Sequence, residues 1–266
     1  MLRLATWNVL GGRTATGGSD PEALARGVVA LAADLVALQE IDYHQARSDE
    51  RDQTADLIEA LSSSGTPWTG HFLPTLAGSP GLARSWRPAT GDFVSAGTSA
   101  YGIALLTRLP VRSWHSLRWT ASWGRLPMLV PTPGGRMALV PIPDEPRAAL
   151  AAQVETELGP LTVIGTHLSF LPGRTVRQLR ALRRWAGSLP APRVVLGDLN
   201  LPGGLPATVT GWRRLADART FPAHAPRVQL DHALADGLDA AITTRATTVH
   251  GPVSDHRAVV IDLGRR

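Results

Sequence analysis

The chain has 266 residues, of which 44% are hydrophobic and 18% are charged, and it contains no cysteine. This length supports a full-sized core, and the absence of cysteine excludes disulfide scaffolds, thiolate metal sites and a cysteine nucleophile. All 27 basic residues are arginine, and against 22 acidic residues they give a net charge of +5. Such a charge fits either a phosphate-bearing partner or a compositional bias towards arginine. No apolar run approaches the roughly 18 residues of a membrane span, and no leader precedes the first apolar run, so we expect a cytoplasmic protein.

Short apolar runs recur along the whole chain, each bounded by Gly, Pro, Asp or Asn. We predict strands over residues 2–7, 34–38, 103–106, 148–154, 161–165, 194–196, 228–234 and 258–263. Apolar residues at helical spacing predict helices beginning at Pro21, over 52–61 and over 175–185. Because both kinds of element are spread over the full length, the pattern favours an α/β sandwich of sheets flanked by helices. We expect one domain, 1–266, and a monomer.

Two stretches rich in Gly, Ser and Pro, residues 77–100 and 119–145, carry no clear periodicity. We predict irregular surface loops there, which either border a binding site or have no role.

Polar residues lie where the predicted apolar strands end. Asn8 follows the first strand, Glu40 ends the second and His167 ends a third, Thr162 to His167. Asp198 and Asn200 follow a fourth strand, and three more polar residues lie in or next to later apolar runs: Asp231, Asp255 and His256. Singly, such residues are usually turn formers or satisfied structural groups. Together they supply what hydrolysis of a phosphate ester needs.

The carboxylates of Glu40 and Asp255 and the amide oxygen of Asn8 are hard oxygen ligands, the kind that Mg²⁺ or Mn²⁺ prefers. Asp198 and Asn200 are spaced i, i+2, so in an extended segment their side chains share one face. The carboxylate can orient an attacking water while the amide donates to a phosphate oxygen.

Two imidazoles, His167 and His256, supply donors for developing charge and a proton for the leaving oxygen. Asp231 can fix the tautomer of one of them. No serine or threonine stands out as a nucleophile, so we expect direct attack by water.

Five motifs in order carry a resemblance to a known family: Thr6-Trp7-Asn8, Leu38-Gln39-Glu40, Gly165-Thr166-His167-Leu168, Gly197-Asp198-Leu199-Asn200 and Ser254-Asp255-His256. The chain resembles the endonuclease/exonuclease/phosphatase superfamily, which has the deoxyribonuclease I-like fold. Leu230-Asp231-His232 is similar to the family's Leu-Asp-Tyr segment, with His in place of an aromatic residue, and two further matches are the strand beginning at Tyr101 and the pair Pro146-Arg147.

The resemblance implies a four-layer αββα sandwich, with two mixed β-sheets face to face and helices outside. It assigns Mg²⁺ binding to Glu40, Asn8 and Asp255, the water-orienting base to Asp198 and phosphate contact to Asn200. Transition-state stabilisation and acid–base work are assigned to the two histidines, with Asp231 orienting His256. Which histidine protonates the leaving group stays open, and no acidic partner of His167 is identified.

The substrate is less determined, because the family hydrolyses nucleic acids, phosphoinositides, sphingomyelin and small phosphoesters. With a histidine at position 167, the chain resembles the histidine-bearing branch of the family rather than the abasic-site repair enzymes. We predict phosphodiester hydrolysis of nucleic acid or nucleotides first. The alternatives are a phosphatase or lipase acting on inositol phosphates, lipid headgroups or small monoesters, and a non-catalytic member that binds phosphate ligands. Candidate phosphate contacts are Tyr101, Arg147, Arg174 and Arg177. The last two lie on a predicted arginine-rich helix that either contacts nucleic acid or is a solvated face.

Overall fold

A computed structural model describes residues 1–81, 86–91, 97–131 and 137–265, with the backbone alone described at 128–131 and 137. Seven strands form the first sheet: β1 (Leu2–Asn8), β2 (Leu35–Tyr43), β3 (Thr69–Gly78), β4 (Trp86–Pro88), β5 (Ala100–Thr107), β14 (Ile242–Val249) and β15 (Ala258–Arg265). Their spatial order is β14-β15-β1-β2-β5-β3-β4. β1 and β2 pair in parallel, while the other neighbours are antiparallel.

Six strands form the second sheet: β6 (Val111–Trp119), β9 (Arg147–Thr156), β10 (Gly159–His167), β11 (Arg193–Asp198), β12 (Arg213–Arg214) and β13 (Asp231–Asp236). Their order is β12-β13-β11-β10-β9-β6, with β10 and β11 in parallel. The remaining strands, β7 (Arg125–Pro131) and β8 (Met137–Pro143), pair only with each other among the described residues. Both large sheets are therefore mixed.

Among the described residues there are four α-helices: α1 (Pro21–Ala30), α2 (Gln53–Ser62), α3 (Arg174–Ala186) and α4 (Leu205–Thr210). The prediction of a helix beginning at Pro21 is confirmed, since α1 begins there. The side chain of Asp20 caps this helix by accepting a hydrogen bond from the Ala23 backbone amide at 2.8 Å. Asp52 caps α2 in the same manner. Each cap satisfies a backbone amide that the first turn leaves without a helical partner.

Three apolar layers hold the elements together. The central layer, between the sheets, contains Leu4, Leu35 and Leu105 from the first sheet and Val163 and Leu196 from the second. A second layer packs α1 and α2 on the first sheet, and a third packs α3 on the second sheet. This is the four-layer αββα sandwich predicted from the sequence, since each sheet buries one face on the other sheet and its opposite face under helices.

The eight predicted strands are all present, although the run predicted over 228–234 becomes regular strand only from Asp231. Several strands were not predicted, among them β3, β6 and β14. The expectation of irregular loops is wrong in part, because β4 lies within 77–100 and the β7–β8 hairpin lies within 119–145. Residues 82–85, 92–96 and 132–136 of those stretches lie outside the described residues. Within the described part of the chain, no helix has the length and apolarity to cross a membrane.

The side chain of His232, in β13, is 1% exposed, and its Nε2 lies 2.8 Å from the Leu201 carbonyl oxygen, to which it donates. Burial lowers the pKa of His232 to about 4. Below the ordinary pKa of histidine, near 6.5, the unfolded chain therefore takes up a proton that the folded chain does not. His232 therefore does not lower the free energy of unfolding above about pH 6.5. It lowers that free energy progressively as the pH drops from about 6.5 towards 4.

We expect the free energy of unfolding to fall by about 2–3 kcal/mol more between pH 7 and pH 4.5 in the wild type than in His232→Gln. Urea denaturation at the two pH values measures this difference. His224→Gln, at an exposed histidine, is the control and should keep the wild-type pH dependence. An equal pH dependence in the wild type and His232→Gln would contradict the lowered pKa of His232.

Candidate active site

The strand ends of the two sheets meet at a cleft of about 470 Å³. Nine of the twelve residues predicted for the site line it: Asn8, Glu40, Tyr101, Arg147, His167, Asp198, Asn200, Asp255 and His256. Asp231 lies directly behind His256, fully buried. The structure thus brings together ten residues that are distant in the sequence, while their roles stay predictions.

Glu40 enters the cleft because β2 is irregular at this position. The pairing of β2 with β5 shifts register between Gln39 and Ile41, and Glu40 has a φ of 60°. A bulge inserts a residue that the neighbouring strand does not match, and a positive φ is costly for a residue with a Cβ. The strain redirects the Glu40 carboxylate from the sheet into the cleft.

Asp198 is positioned by the close pairing of β10 and β11, in which His167 and Asp198 are register partners. A Cβ on Gly197 would lie 1.9 Å from the Thr166 carbonyl oxygen, so only glycine permits this approach. His167 Nε2 lies 3.6 Å from Asp198 Oδ2. Burial raises the pKa of the Asp198 carboxyl to about 7, against the lowering effect of His256 and of hydrogen bonds from Asn200 and Asn8.

Asn8 connects the two sheets at the floor of the cleft. Its Nδ2 donates to Glu40 Oε1 at 3.0 Å and to Asp198 Oδ2 at 3.2 Å, while its Oδ1 accepts from the Leu10 amide at 3.2 Å. In this orientation the amide nitrogen, rather than the oxygen proposed as a metal ligand, faces the carboxylates. Asn8 therefore holds Glu40 and Asp198 together.

His256 is held by a buried carboxylate. Its Nδ1 donates to Asp231 Oδ2 at 2.8 Å, and its Nε2 lies 3.9 Å from Asp198 Oδ2. Burial opposes a charge on the imidazole, but attraction to Asp231 and the hydrogen bond raise the pKa of His256 to about 10. The arrangement favours an imidazolium with Nε2 directed towards Asp198.

At its Nδ1 atom, His167 has a basic partner where His256 has an acidic one. Its Nδ1 lies 3.0 Å from Nη1 of Arg147, and both side chains are 5% exposed. Arg147 Nη2 is 3.8 Å from Glu145 Oε2. Burial, together with the positive charges of Arg147 and His256, lowers the pKa of His167 well below its usual value.

Two cleft carboxylates fit a divalent cation. Among the described residues, neither Glu40 nor Asp255 forms an ion pair, and both line the cleft. Loss of water raises the pKa of Asp255, opposed by His256 and reinforced by the charge of Glu40. A cation held by both carboxylates would offset the repulsion between their charges. Asp198, Asp231 and His256 also present ligand atoms within 4.8 Å of one another, but His256 and Asp231 already bind each other through one atom each.

Two of the predicted phosphate contacts lie elsewhere. Arg174 and Arg177 are at the start of α3 and line a separate recess with Trp119, and Arg174 is ion-paired with Asp144 at 2.6 Å. Neither lines the cleft, because α3 covers the outer face of the second sheet.

Sequence reasoning missed three charged residues of the cleft, Arg13, Arg47 and Glu145. Arg47 forms a two-bond contact with buried Asp42 and lies 5.5 Å from the ring centre of Tyr101. Glu145 directly precedes the Pro146-Arg147 motif, which was the one available signal. Arg13 and Arg47 lie in short connections without a motif.

A family model described as Endonuclease/Exonuclease/phosphatase family matches residues 5–256. A Leptotrichia buccalis protein of that family is 14% identical, with a TM-score of 0.66 and coverage of 99% of this chain and 100% of its own. An endonuclease/exonuclease/phosphatase from Beutenbergia cavernae is 21% identical, with a TM-score of 0.64 and coverage of 99% and 71%. The mannosyl-6-phosphatase of Bacteroides thetaiotaomicron is 16% identical, with a TM-score of 0.60 and coverage of 99% and 100%. No curated protein matches the sequence. Since the family model spans nearly the whole chain, this protein belongs to the endonuclease/exonuclease/phosphatase family.

Proposed function

We propose that this protein is a divalent-metal-dependent phosphoester hydrolase that acts by direct attack of water, with phosphodiester bonds of nucleic acid or nucleotides as its preferred substrate. Members of its family are phosphoester hydrolases. The observation that carries the proposal is the position of Asp198. Its Oδ2 lies 3.6 Å from His167 Nε2 and 3.9 Å from His256 Nε2, at the floor of a cleft that holds three further carboxylates, those of Glu40, Glu145 and Asp255.

Glu40 and Asp255 would hold the cation, which we propose to be Mg²⁺, with Mn²⁺ as a substitute. When bound, such a cation withdraws charge from a phosphoryl oxygen and so favours attack at phosphorus.

Asp198 is the base of the proposed reaction. Its Oδ1 accepts a hydrogen bond from the backbone N–H of Asn200 at 2.9 Å, which fixes the orientation of the carboxylate. As the water oxygen bonds to phosphorus, Asp198 takes the water proton, the bond from phosphorus to the leaving oxygen breaks, and an imidazole gives that oxygen a proton. A carboxyl with a pKa near 7 suits a base that acts close to neutral pH.

The cleft volume of about 470 Å³ suits a nucleotide-sized group, and Phe170 and Phe221 provide apolar walls beside the polar floor. A second candidate is a phosphatase for small monoesters or inositol phosphates. Arg13 and Arg47 favour it, because cations at the cleft can bind additional phosphate groups.

Replacing Asp198 by Asn should lower kcat for a generic phosphodiester by roughly 10²–10⁴-fold, because the base is lost while the shape is kept. The matched control is Asp217→Asn, at an aspartate that is 85% exposed, which should retain wild-type turnover. Steady-state kinetics with bis-p-nitrophenyl phosphate, alongside circular dichroism for the fold, measures the effect. Full activity in a folded Asp198→Asn variant would sink the proposal, and inactivity of the wild type would favour a protein that only binds phosphate ligands.

Treatment with EDTA should abolish turnover, and added Mg²⁺ or Mn²⁺ should restore it. Glu40→Gln should raise the Mg²⁺ concentration needed for half-maximal binding at least tenfold, because a ligand charge is lost. Isothermal titration calorimetry with Mg²⁺ alone measures this, with Glu22→Gln on the surface of α1 as the control. Turnover that is unchanged by EDTA would contradict the proposed dependence on a divalent metal.

A substrate panel separates the two candidates. Plasmid DNA, RNA and bis-p-nitrophenyl phosphate represent diesters, while p-nitrophenyl phosphate and inositol phosphates represent monoesters; sphingomyelin tests a lipid diester. We expect the highest kcat/KM on a nucleic acid or nucleotide diester. Turnover of the monoesters alone would replace the diesterase by the second candidate.

A further inference from the structure

We propose that Arg147 is a positioning residue that holds His167 as a neutral imidazole with its proton on Nε2, so that His256 alone protonates the leaving oxygen. The assignment of catalytic roles rests on the proposed function, whereas the state of His167 is a property of the free protein.

The tautomer follows from the chemistry of the contact. Arginine carries only donors, and its guanidinium stays protonated in proteins. Because Arg147 Nη1 lies 3.0 Å from His167 Nδ1, that ring nitrogen must be the acceptor and carries no proton. A neutral imidazole then has its proton on Nε2, the atom that faces Asp198 Oδ2 at 3.6 Å.

The strand register fixes the position of the guanidinium. Ala148 in β9 pairs with His167 in β10, which places Arg147 one residue from the histidine, and Trp119 in β6 pairs with Arg147 on its other side. Arg147 is 5% exposed and has Glu145 as its acidic neighbour. The carboxylate of Glu145, 3.8 Å from Nη2, attracts the buried guanidinium without a hydrogen bond, and leaving that charge without any acidic neighbour would be costly.

The groups around His167 also oppose a second proton. The titratable and charged groups that face it are Arg147, His256 and Asp198, and the group in contact with Nδ1 is the permanently charged guanidinium of Arg147. Moreover, the nitrogen that would have to accept the proton is the one that faces the guanidinium. The partner of His256 at the equivalent nitrogen is Asp231, a carboxylate.

The two histidines therefore differ in what they can do. His167 donates a hydrogen bond through Nε2 to a phosphoryl oxygen and keeps its proton throughout. The proton for the leaving oxygen then comes from His256 Nε2, while Asp198 receives the proton of the attacking water. Exchange with solvent returns one proton from Asp198 and supplies one to His256, which balances the cycle.

The direct test is nitrogen-15 NMR of the histidine side chains in the metal-free wild-type protein, with the His167 signals identified by their loss in His167→Gln. We expect one ring nitrogen bearing hydrogen, Nε2, one bare ring nitrogen, Nδ1, and no change between pH 8 and pH 5. A proton on Nδ1, or an imidazolium at pH 7, would overturn the proposal. The NMR experiment does not depend on hydrolysis. If the protein shows the expected tautomer but hydrolyses no phosphoester in a separate assay, only the proposed function is contradicted.

Two substitutions test the part played by Arg147. Arg147→Met removes the donor and the charge at similar volume, and we expect His167, which is unchanged between pH 8 and pH 5 in the wild type, to titrate within that range in the NMR experiment. Arg147→Lys keeps a cationic donor and should restore the wild-type behaviour. Arg177→Met, at an exposed arginine outside the cleft, is the control. Unchanged His167 titration in Arg147→Met would contradict the role of Arg147, and if that variant fails to fold the wild-type tautomer still decides the proposal.

Discussion

The amide of Asn8 is the contact on which the geometry of the site depends. It donates to Glu40 within the first sheet and to Asp198 in the second, at 3.0 and 3.2 Å. Two carboxylates brought this close would repel each other, and a buried donor shared between them offsets part of that cost. Because the apolar layer between the sheets fixes their separation, a short polar side chain can span them at this edge.

The two cleft histidines differ in protonation because their buried Nδ1 atoms have different partners. Asp231 is fully buried and supplies a charge that favours protonation of His256, while Arg147 supplies the opposite charge at His167. In a site with little water, such single contacts outweigh the intrinsic similarity of two imidazoles. In the proposed reaction these three side chains, His167, His256 and Asp198, supply a neutral donor, a proton donor and a base.

Much of the fold was predictable, because buried strands such as β2 and β11 are continuous apolar runs whose ends carry the polar residues of the site. β14 was missed since its exposed face is rich in Thr and Arg, and its pattern is no longer apolar. The β7–β8 hairpin was missed because Pro and Gly usually break strands. The contact between Arg147 and His167 depends on the register of β9 with β10, which no local pattern reveals. The position of Arg174 and Arg177 outside the cleft was not predictable, because helical spacing does not say which sheet face a helix covers.

The most direct test of the central claim is a crystal structure of the protein with Mg²⁺ and orthovanadate, an anion that resembles phosphate under attack. We expect Mg²⁺ to be bound by the carboxylates of Glu40 and Asp255. We expect the anion within hydrogen-bond distance of His167 Nε2, His256 Nε2 and the side-chain Nδ2 of Asn200. An empty cleft with the anion bound in the arginine recess of α3, or with the metal away from Glu40, would contradict that claim.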